Sequence, residues 1–276
     1  MRRRYTTKIK KIMSYVFICG FAIGSFYSGT KVYYWMMDSN STQQQVKNFD
    51  SDIQLMEKED SENVELISQE IDIPKENPYW DYIKMNLIDV DFTDLKRKND
   101  EVKGWIQVNG TNINYPFVQT YDNDYYLKHS FDKKVNSGGW VFADYRNNMT
   151  EFDKNTIIYG HSRLDTTMFG SLKNILNNGW LNDTNNHVIK LSTEYENTLW
   201  QVISVYHIPI TSDYLQVEFN NDEEFVQFGN MLIERSNYNF NGTIRGNDKL
   251  LTLSTCYNDD TERVVLHAKL IKREKK

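Results

Sequence analysis

Residues 249–271 read KLLTLSTCYNDDTERVVLHAKLI, two alternating runs joined by a polar turn. Successive side chains of a strand face opposite sides, so the first run sets Leu251, Leu253 and Thr255 against Leu250, Thr252, Ser254 and Cys256. The second sets Val264, Leu266, Ala268 and Leu270 against Arg263, Val265, His267 and Lys269. The more apolar set of each run is expected to face a core. If YNDDTE joins the runs as neighbours, Arg263 begins close to where Cys256 ends.

Other strand-like runs precede this pair. GWIQVNGTNINYPFVQ carries Asn109-Gly110 between two β-prone stretches, the strongest short hairpin signal in the chain. GGWVFADY, NTIIYGHS, HVIKLST and TLWQVISVYHIPI come after it. Eight or so short strands with few helices predict a mainly β domain, a closed or nearly closed barrel. One or two short amphipathic helices are expected over 78–102 and another over 166–176, with Met168, Phe169, Leu172, Ile175 and Leu176 on one face. A further helix starts at Asn221, with Glu224 three residues on as in a capping box, and sets Phe225, Phe228 and Leu232 at helical spacing. It interrupts the long connection before the 249–256 strand, and connections of that length tend to carry function.

Residues 1–11 form a basic segment with Arg2, Arg3, Arg4, Lys8, Lys10 and Lys11, and 12–30 contain no charged residue. That run is long enough to cross a bilayer as a helix, with Tyr27, Tyr33, Tyr34 and Trp35 as interfacial anchors, so 12–37 reads as a membrane anchor with a cytoplasmic N-terminus. A cleaved secretory signal is the alternative, and both readings export the remainder of the chain. Residues 38–78 are polar and read as a stalk, partly helical, ahead of a catalytic domain spanning 79–276. All 38 acidic residues lie at or after Asp38 whereas seven of the 32 Lys and Arg precede it. So acidic an outer part does not attract phosphate backbones, and nucleic acid is not an expected partner.

With Cys19 inside the anchor, Cys256 is the one thiol of the exported part, either a reactive group or a small buried filler. Its place among hydroxyl residues at a strand end is unlike that of a filler. A guanidinium at Arg263 would lower its pKa and offer donors to an oxyanion; otherwise Arg263 is a solvated strand residue paired with Asp259, Asp260 or Glu262. A nucleophilic thiol also needs a proton carrier. Of the five histidines, His161 ends an apolar strand beside Gly160 and precedes a loop, which favours it; His267 is the rival because it shares a face with Arg263.

TLSTC with an arginine seven residues on, and IIYGHS far upstream, resembles the sortases, membrane-anchored cysteine transpeptidases of Gram-positive bacteria. The resemblance runs from about Trp105 through DNDYYLKHSF and GHSRLDTTMFGSLKNIL to the end of the chain. It is closest to class B, which has helical material ahead of the barrel and a helix inserted before the cysteine strand. The resemblance implies that His161, Cys256 and Arg263 are catalytic. Cys256 would attack after the threonine of a C-terminal sorting signal of Asn-Pro-X-Thr-X type, and a peptidoglycan precursor's amino group would resolve the thioester. It further implies that Ser254, Tyr159, Asn123 and Leu127 line the substrate groove, with Thr211 and Tyr214 from the long connection, and that no metal or organic cofactor is needed. L,D-transpeptidases also use exported Cys, His and Arg, but their cysteine follows a glycine and their arginine comes two residues later. A non-catalytic, membrane-anchored binding domain is the remaining alternative.

Overall fold

The structure, a computed structural model, describes residues 2–52, 56–58, 61–67, 73–257 and 261–276, with the backbone alone at 2–9, 50–52, 256 and 257. The chain divides into two units, Met1–Ser41 and Thr42–Lys276. In the first, the uncharged run lies within α1 (Arg2–Asp52), which is long and apolar enough to cross a membrane. Its Phe17, Phe21 and Phe26 are exposed.

The second unit takes the last part of α1 and then runs β1 (Met56–Lys58), β2 (Val64–Leu66), α2 (Tyr79–Tyr82), β3 (Leu87–Asp89), α3 (Thr93–Lys98), β4 (Val102–Val108), β5 (Asn114–Val118), β6 (Phe142–Ala143), β7 (Asn155–Tyr159), α4 (Asn178–Leu181), β8 (Val188–Thr193), β9 (Glu196–Pro209), α5 (Asp222–Glu234), β10 (Leu250–Tyr257) and β11 (Glu262–Lys275). Strands neighbour one another in the order β10-β7-β6-β5-β4-β8-β9-β11, and β11 pairs back onto β10. The expected barrel is therefore closed and eight-stranded. Its pairings are antiparallel except β5–β6 and β7–β10. β2 adds to the far half of β11, while β1 and β3 form a separate two-stranded ribbon. Asn109-Gly110 lies in the β4–β5 connection, where Gly110 has φ +70° and a Cβ would stand 2.3 Å from the Asn186 amide oxygen.

The alternation read from 249–271 holds. Leu251, Leu253, Val264, Leu266, Ala268 and Leu270 join Trp105, Trp140, Phe169 and Trp200 in the barrel core. The opposite face is not open to water: Leu250 and Val265 join Tyr206 and Tyr214 under Phe225, Phe228 and Leu232 of α5. The Asn221 side chain caps that helix by accepting from Glu224 N at 2.9 Å, and the Glu224 carboxylate reaches back to Asn220 N at 2.7 Å.

Three expectations change. Residues 166–176 do not form one helix, because Thr166 and Met168 take φ +64° and +52°, and the only helical turn there is a 3₁₀ one, Leu172–Leu176. Their apolar side chains still reach the core, Leu176 partly. The strand in GGWVFADY shrinks to β6, since its partner β5 contains Pro116, which has no N–H to donate, and Asp144 starts a turn. Within 38–78, read as a polar stalk, Phe49 is 4% exposed and lies edge-on to Trp105, Phe131 and Trp140 with ring centroids 4.9–6.4 Å apart. Gln45 donates to Asp132 at 2.9 Å, and β1 and β2 pair with strands of the unit. The parts of that stretch at 53–55, 59–60 and 68–72 lie outside the described residues.

Candidate active site

The strand registers bring three chemistry-bearing residues level. β7 runs parallel to β10 with Tyr159 opposite Ser254, and beyond the last pair Gly160 N donates to Ser254 O at 3.4 Å while Thr255 Oγ1 donates to Gly160 O at 2.7 Å. His161 comes next and so stands level with Cys256. On the other side of β10, Cys256 is the register partner of Arg263. His161, Cys256 and Arg263 thus occupy adjacent positions at one end of three neighbouring strands.

His161 is held from two sides. Its Nε2 lies 2.8 Å from Leu127 O. A carbonyl only accepts, so in the neutral ring Nε2 carries the hydrogen and Nδ1 keeps the lone pair. Behind the ring Gly139 has φ +59°, and a Cβ there would stand 2.9 Å from His161 Cδ2 and 2.4 Å from Tyr126 O. His161 O accepts from both Arg163 N and Phe169 N, closing the next loop, where the nearly buried Arg163 pairs with Asp165 at 3.1 Å. Arg263 is half-buried and donates to Glu262 O at 2.9 Å. Asp259 and Asp260, its other expected partners, lie outside the described residues. The Glu262 carboxylate stands 3.6 Å from His207 Nδ1.

Two of the residues expected along a groove, Asn123 and Tyr159, share a carboxylate that the sequence did not single out. Asp144 is fully buried and its Oδ2 accepts from Tyr159 OH (2.9 Å), Asn123 Nδ2 (3.0 Å) and Arg146 Nη2 (2.7 Å), while Oδ1 accepts from Arg146 Nε and N. Burial alone would raise its pKa, but the bonds from Arg146 and Tyr159 outweigh it and hold the carboxyl below the ordinary range. Burial, then the Asp144 charge, pushes the Tyr159 hydroxyl well up, so it stays a donor. Arg146 also donates to Leu215 O at 3.1 Å, tying the long connection to the His161 side. The local signal was the run Asp144-Tyr145-Arg146 at a strand end, where an aspartate turns the chain and accepts from the residue two on. Ser254 is buried with its Oγ 2.9 Å from Tyr214 OH, and Thr211 Oγ1 accepts from Asp213 N at 3.4 Å. Leu127 contributes its main-chain oxygen to His161 and packs against the core.

His267 is sealed between Tyr206 OH (2.8 Å) and Thr252 Oγ1 (2.9 Å). Burial, with the Arg235 charge nearby, lowers its pKa to about 3, so it stays neutral at ordinary pH. With both ring nitrogens engaged inside the core, it is poorly placed to carry protons for a substrate.

Comparison with known proteins converges. Residues 106–271 match the family model for the sortase domain. Sortase B of Staphylococcus aureus is 33% identical over 184 residues, 66% of this chain and 75% of that protein. The crystal structure of sortase B from B. anthracis superposes with TM-score 0.67 at 30% identity, covering 86% of this chain and 99% of that one. A Staphylococcus aureus sortase B–substrate complex gives TM-score 0.61 at 33% identity over 66% of this chain and 84% of its own.

Proposed function

Because this chain belongs to the sortase family of cysteine transpeptidases, we propose that it is a class B-type enzyme. It cleaves a C-terminal sorting signal of Asn-Pro-X-Thr-X type after threonine and passes the protein to an amino group of a peptidoglycan precursor. The observation that carries this reading is the shared level of His161, Cys256 and Arg263 across β7, β10 and β11.

In this reading the Cys256 thiol gives its proton to His161 Nδ1, and the thiolate attacks the threonine carbonyl. The tetrahedral oxyanion is met by the guanidinium of Arg263, whose fixed charge and several donors suit that role. The carbon–nitrogen bond breaks as His161 returns the proton to the departing amine, leaving a thioester on Cys256. The acceptor amine attacks this thioester, loses a proton to His161 and expels the thiolate; water in its place would give hydrolysis. The Nε2–H bond to Leu127 O keeps Nδ1 free for both transfers. Asn123, Leu127, Tyr159, Thr211, Tyr214 and Ser254 form the groove for the signal. The helix over 12–37 anchors the enzyme with the basic segment 1–11 in the cytoplasm and the catalytic domain outside.

The test is mass spectrometry of the protein incubated with Asn-Pro-X-Thr-X peptides. A Cys256 thioester ending at threonine, missing from Cys256→Ala, is expected. A folded protein that acylates with no such peptide would overturn the reading.

A further inference from the structure

Four consecutive residues of the connection between β9 and α5 are each held by a different partner. Asp213 takes a two-pronged pair from Arg235 at 2.9 and 2.5 Å. Tyr214 OH meets Ser254 Oγ, and Leu215 O accepts from Arg146. Gln216 O accepts from Asn155 Nδ2 at 2.9 Å, with Tyr214 O at 3.4 Å from the same nitrogen.

One of these anchors, Asn155, is the end of a buried chain of hydrogen bonds whose direction is forced. Asn155 donates its amide to main-chain carbonyls, so its Oδ1 faces Thr252 Oγ1, 2.6 Å away, and the hydroxyl must donate to it. That uses the single hydroxyl hydrogen. Thr252 therefore accepts from His267 Nδ1–H, and Nε2 is left to accept from Tyr206 OH. Arg235, which holds Asp213, places its charge near Tyr206 and His267 without closing the chain. Asn155, Thr252 and His267 are fully buried and Tyr206 is 1% exposed. The chain runs from Tyr206 on β9 across His267 on β11 and Thr252 on β10 to Asn155 on β7, and it reaches the connection at Tyr214 O and Gln216 O. His267 is the only member that must donate at one end of a ring and accept at the other. A phenyl ring would fill the space but break both bonds.

We propose that His267 is a positioning residue, fixing the 213–216 wall of the peptide groove against the Cys256 strand through this one-way chain of bonds. The proposal rests on the function given above, because it takes 213–216 as part of the substrate groove.

The test uses the full chain in detergent with His267→Phe, His267→Gln and, from the middle of the chain of bonds, Thr252→Val. In His267→Phe and Thr252→Val, amide hydrogen exchange over 211–216 should quicken by about tenfold, as expected for loss of a buried hydrogen bond, with β4 and β8 unchanged. KM for an Asn-Pro-X-Thr-X peptide should rise by a similar factor at nearly constant kcat. Alkylation of Cys256 by iodoacetamide, which needs no groove, should keep its rate. His267→Gln, whose amide offers one donor and one acceptor, should recover part of the loss. Unchanged exchange at 211–216 would overturn the proposal, as would faster exchange with an unaltered KM, or a fall in alkylation rate matching the loss of turnover. If His267→Phe does not fold, Thr252→Val alone decides. Wild-type protein that turns over no peptide would refute the function itself, and the exchange data would still decide whether the chain of bonds holds the loop.

Discussion

Replacing Asp144 by asparagine keeps size and shape but removes the charge at the centre of the best-satisfied polar cluster near the site. The carboxylate accepts five hydrogen bonds, two at Oδ1 and three at Oδ2. An amide can leave oxygen at only one of these positions, and its NH₂ then points at donors. With oxygen kept at Oδ1, the new NH₂ faces Arg146 Nη2, Tyr159 OH and Asn123 Nδ2. The tyrosine hydroxyl can turn and accept, but Asn123 cannot flip because its Oδ1 accepts from Tyr145 N. Two donors are left facing a donor, and the Arg146 charge loses its partner. A fully buried pair broken this way costs roughly 3–5 kcal/mol, and since the Arg146 side chain is 37% exposed and water can relieve it, about 3 kcal/mol is expected. For a unit of this size that is a fall in Tm of roughly 10 °C. The lowered pKa supplies a second signature. The contribution of Asp144 is complete above the unfolded-state value of about 3.9 and is lost as pH falls through the lower folded-state value. Urea unfolding of wild type and Asp144→Asn across a pH series should therefore show a gap that is constant at neutral pH and closes in strong acid. A gap under about 1 kcal/mol at pH 7, or one of equal size in strong acid, would refute the reasoning.

Further outcomes are expected from the same geometry. Arg263→Lys keeps the charge but not the planar fork, and kcat should fall about a hundredfold with KM little changed; near wild-type turnover would remove Arg263 from the mechanism. Phe49→Ala empties a site against Trp105, Phe131 and Trp140 and should cost about 3–5 kcal/mol in unfolding experiments, whereas a loss within about 0.5 kcal/mol would mean the last part of α1 does not belong to the folded unit. The His267 imidazole proton resonances should not shift between about pH 5 and 8, and a midpoint near 6.5 would contradict its burial. Because the unfolded chain takes up a proton at His267 below about pH 6.5 and the folded chain does not, this residue also makes the fold weaker as pH falls through that point.

What could be read from the sequence was whatever leaves a local period. The alternation of 250–256 and 263–270 decided the inward faces, Asn109-Gly110 the hairpin, and Asn221 with Glu224 the start of α5. Contacts made at long range left no such trace. Apart from its neighbour Arg146, Asp144 draws on Asn123 and Tyr159 from other segments, and nothing in their spacing announces a shared partner. Phe49 stands alone among polar residues, so a stretch that packs its one large ring resembles a spacer. The outward face of β10 and β11 is covered by α5, a contact that the alternation alone does not specify. Leu250 and Val265 on that face were the available warning, since a solvated face rarely carries large aliphatic side chains without cover. The segment over 166–176 misled because helical spacing of apolar residues does not reveal backbone at positive φ.

The parallel pairing of β7 with β10 has a kinetic consequence. The two strands lie about 95 residues apart, and no tight turn can deliver one to the other. Closing the barrel there is a search across a long loop, the kind of step that places a domain among slow folders. Until it is complete, the backbone positions of His161 and Cys256 are not level, while β10 and β11 can already meet as a local hairpin. A newly made chain is therefore expected to pass through a stage in which position 256 is already in register with Arg263 but not yet level with His161, so the three positions proposed for catalysis come together only when that long-range contact forms.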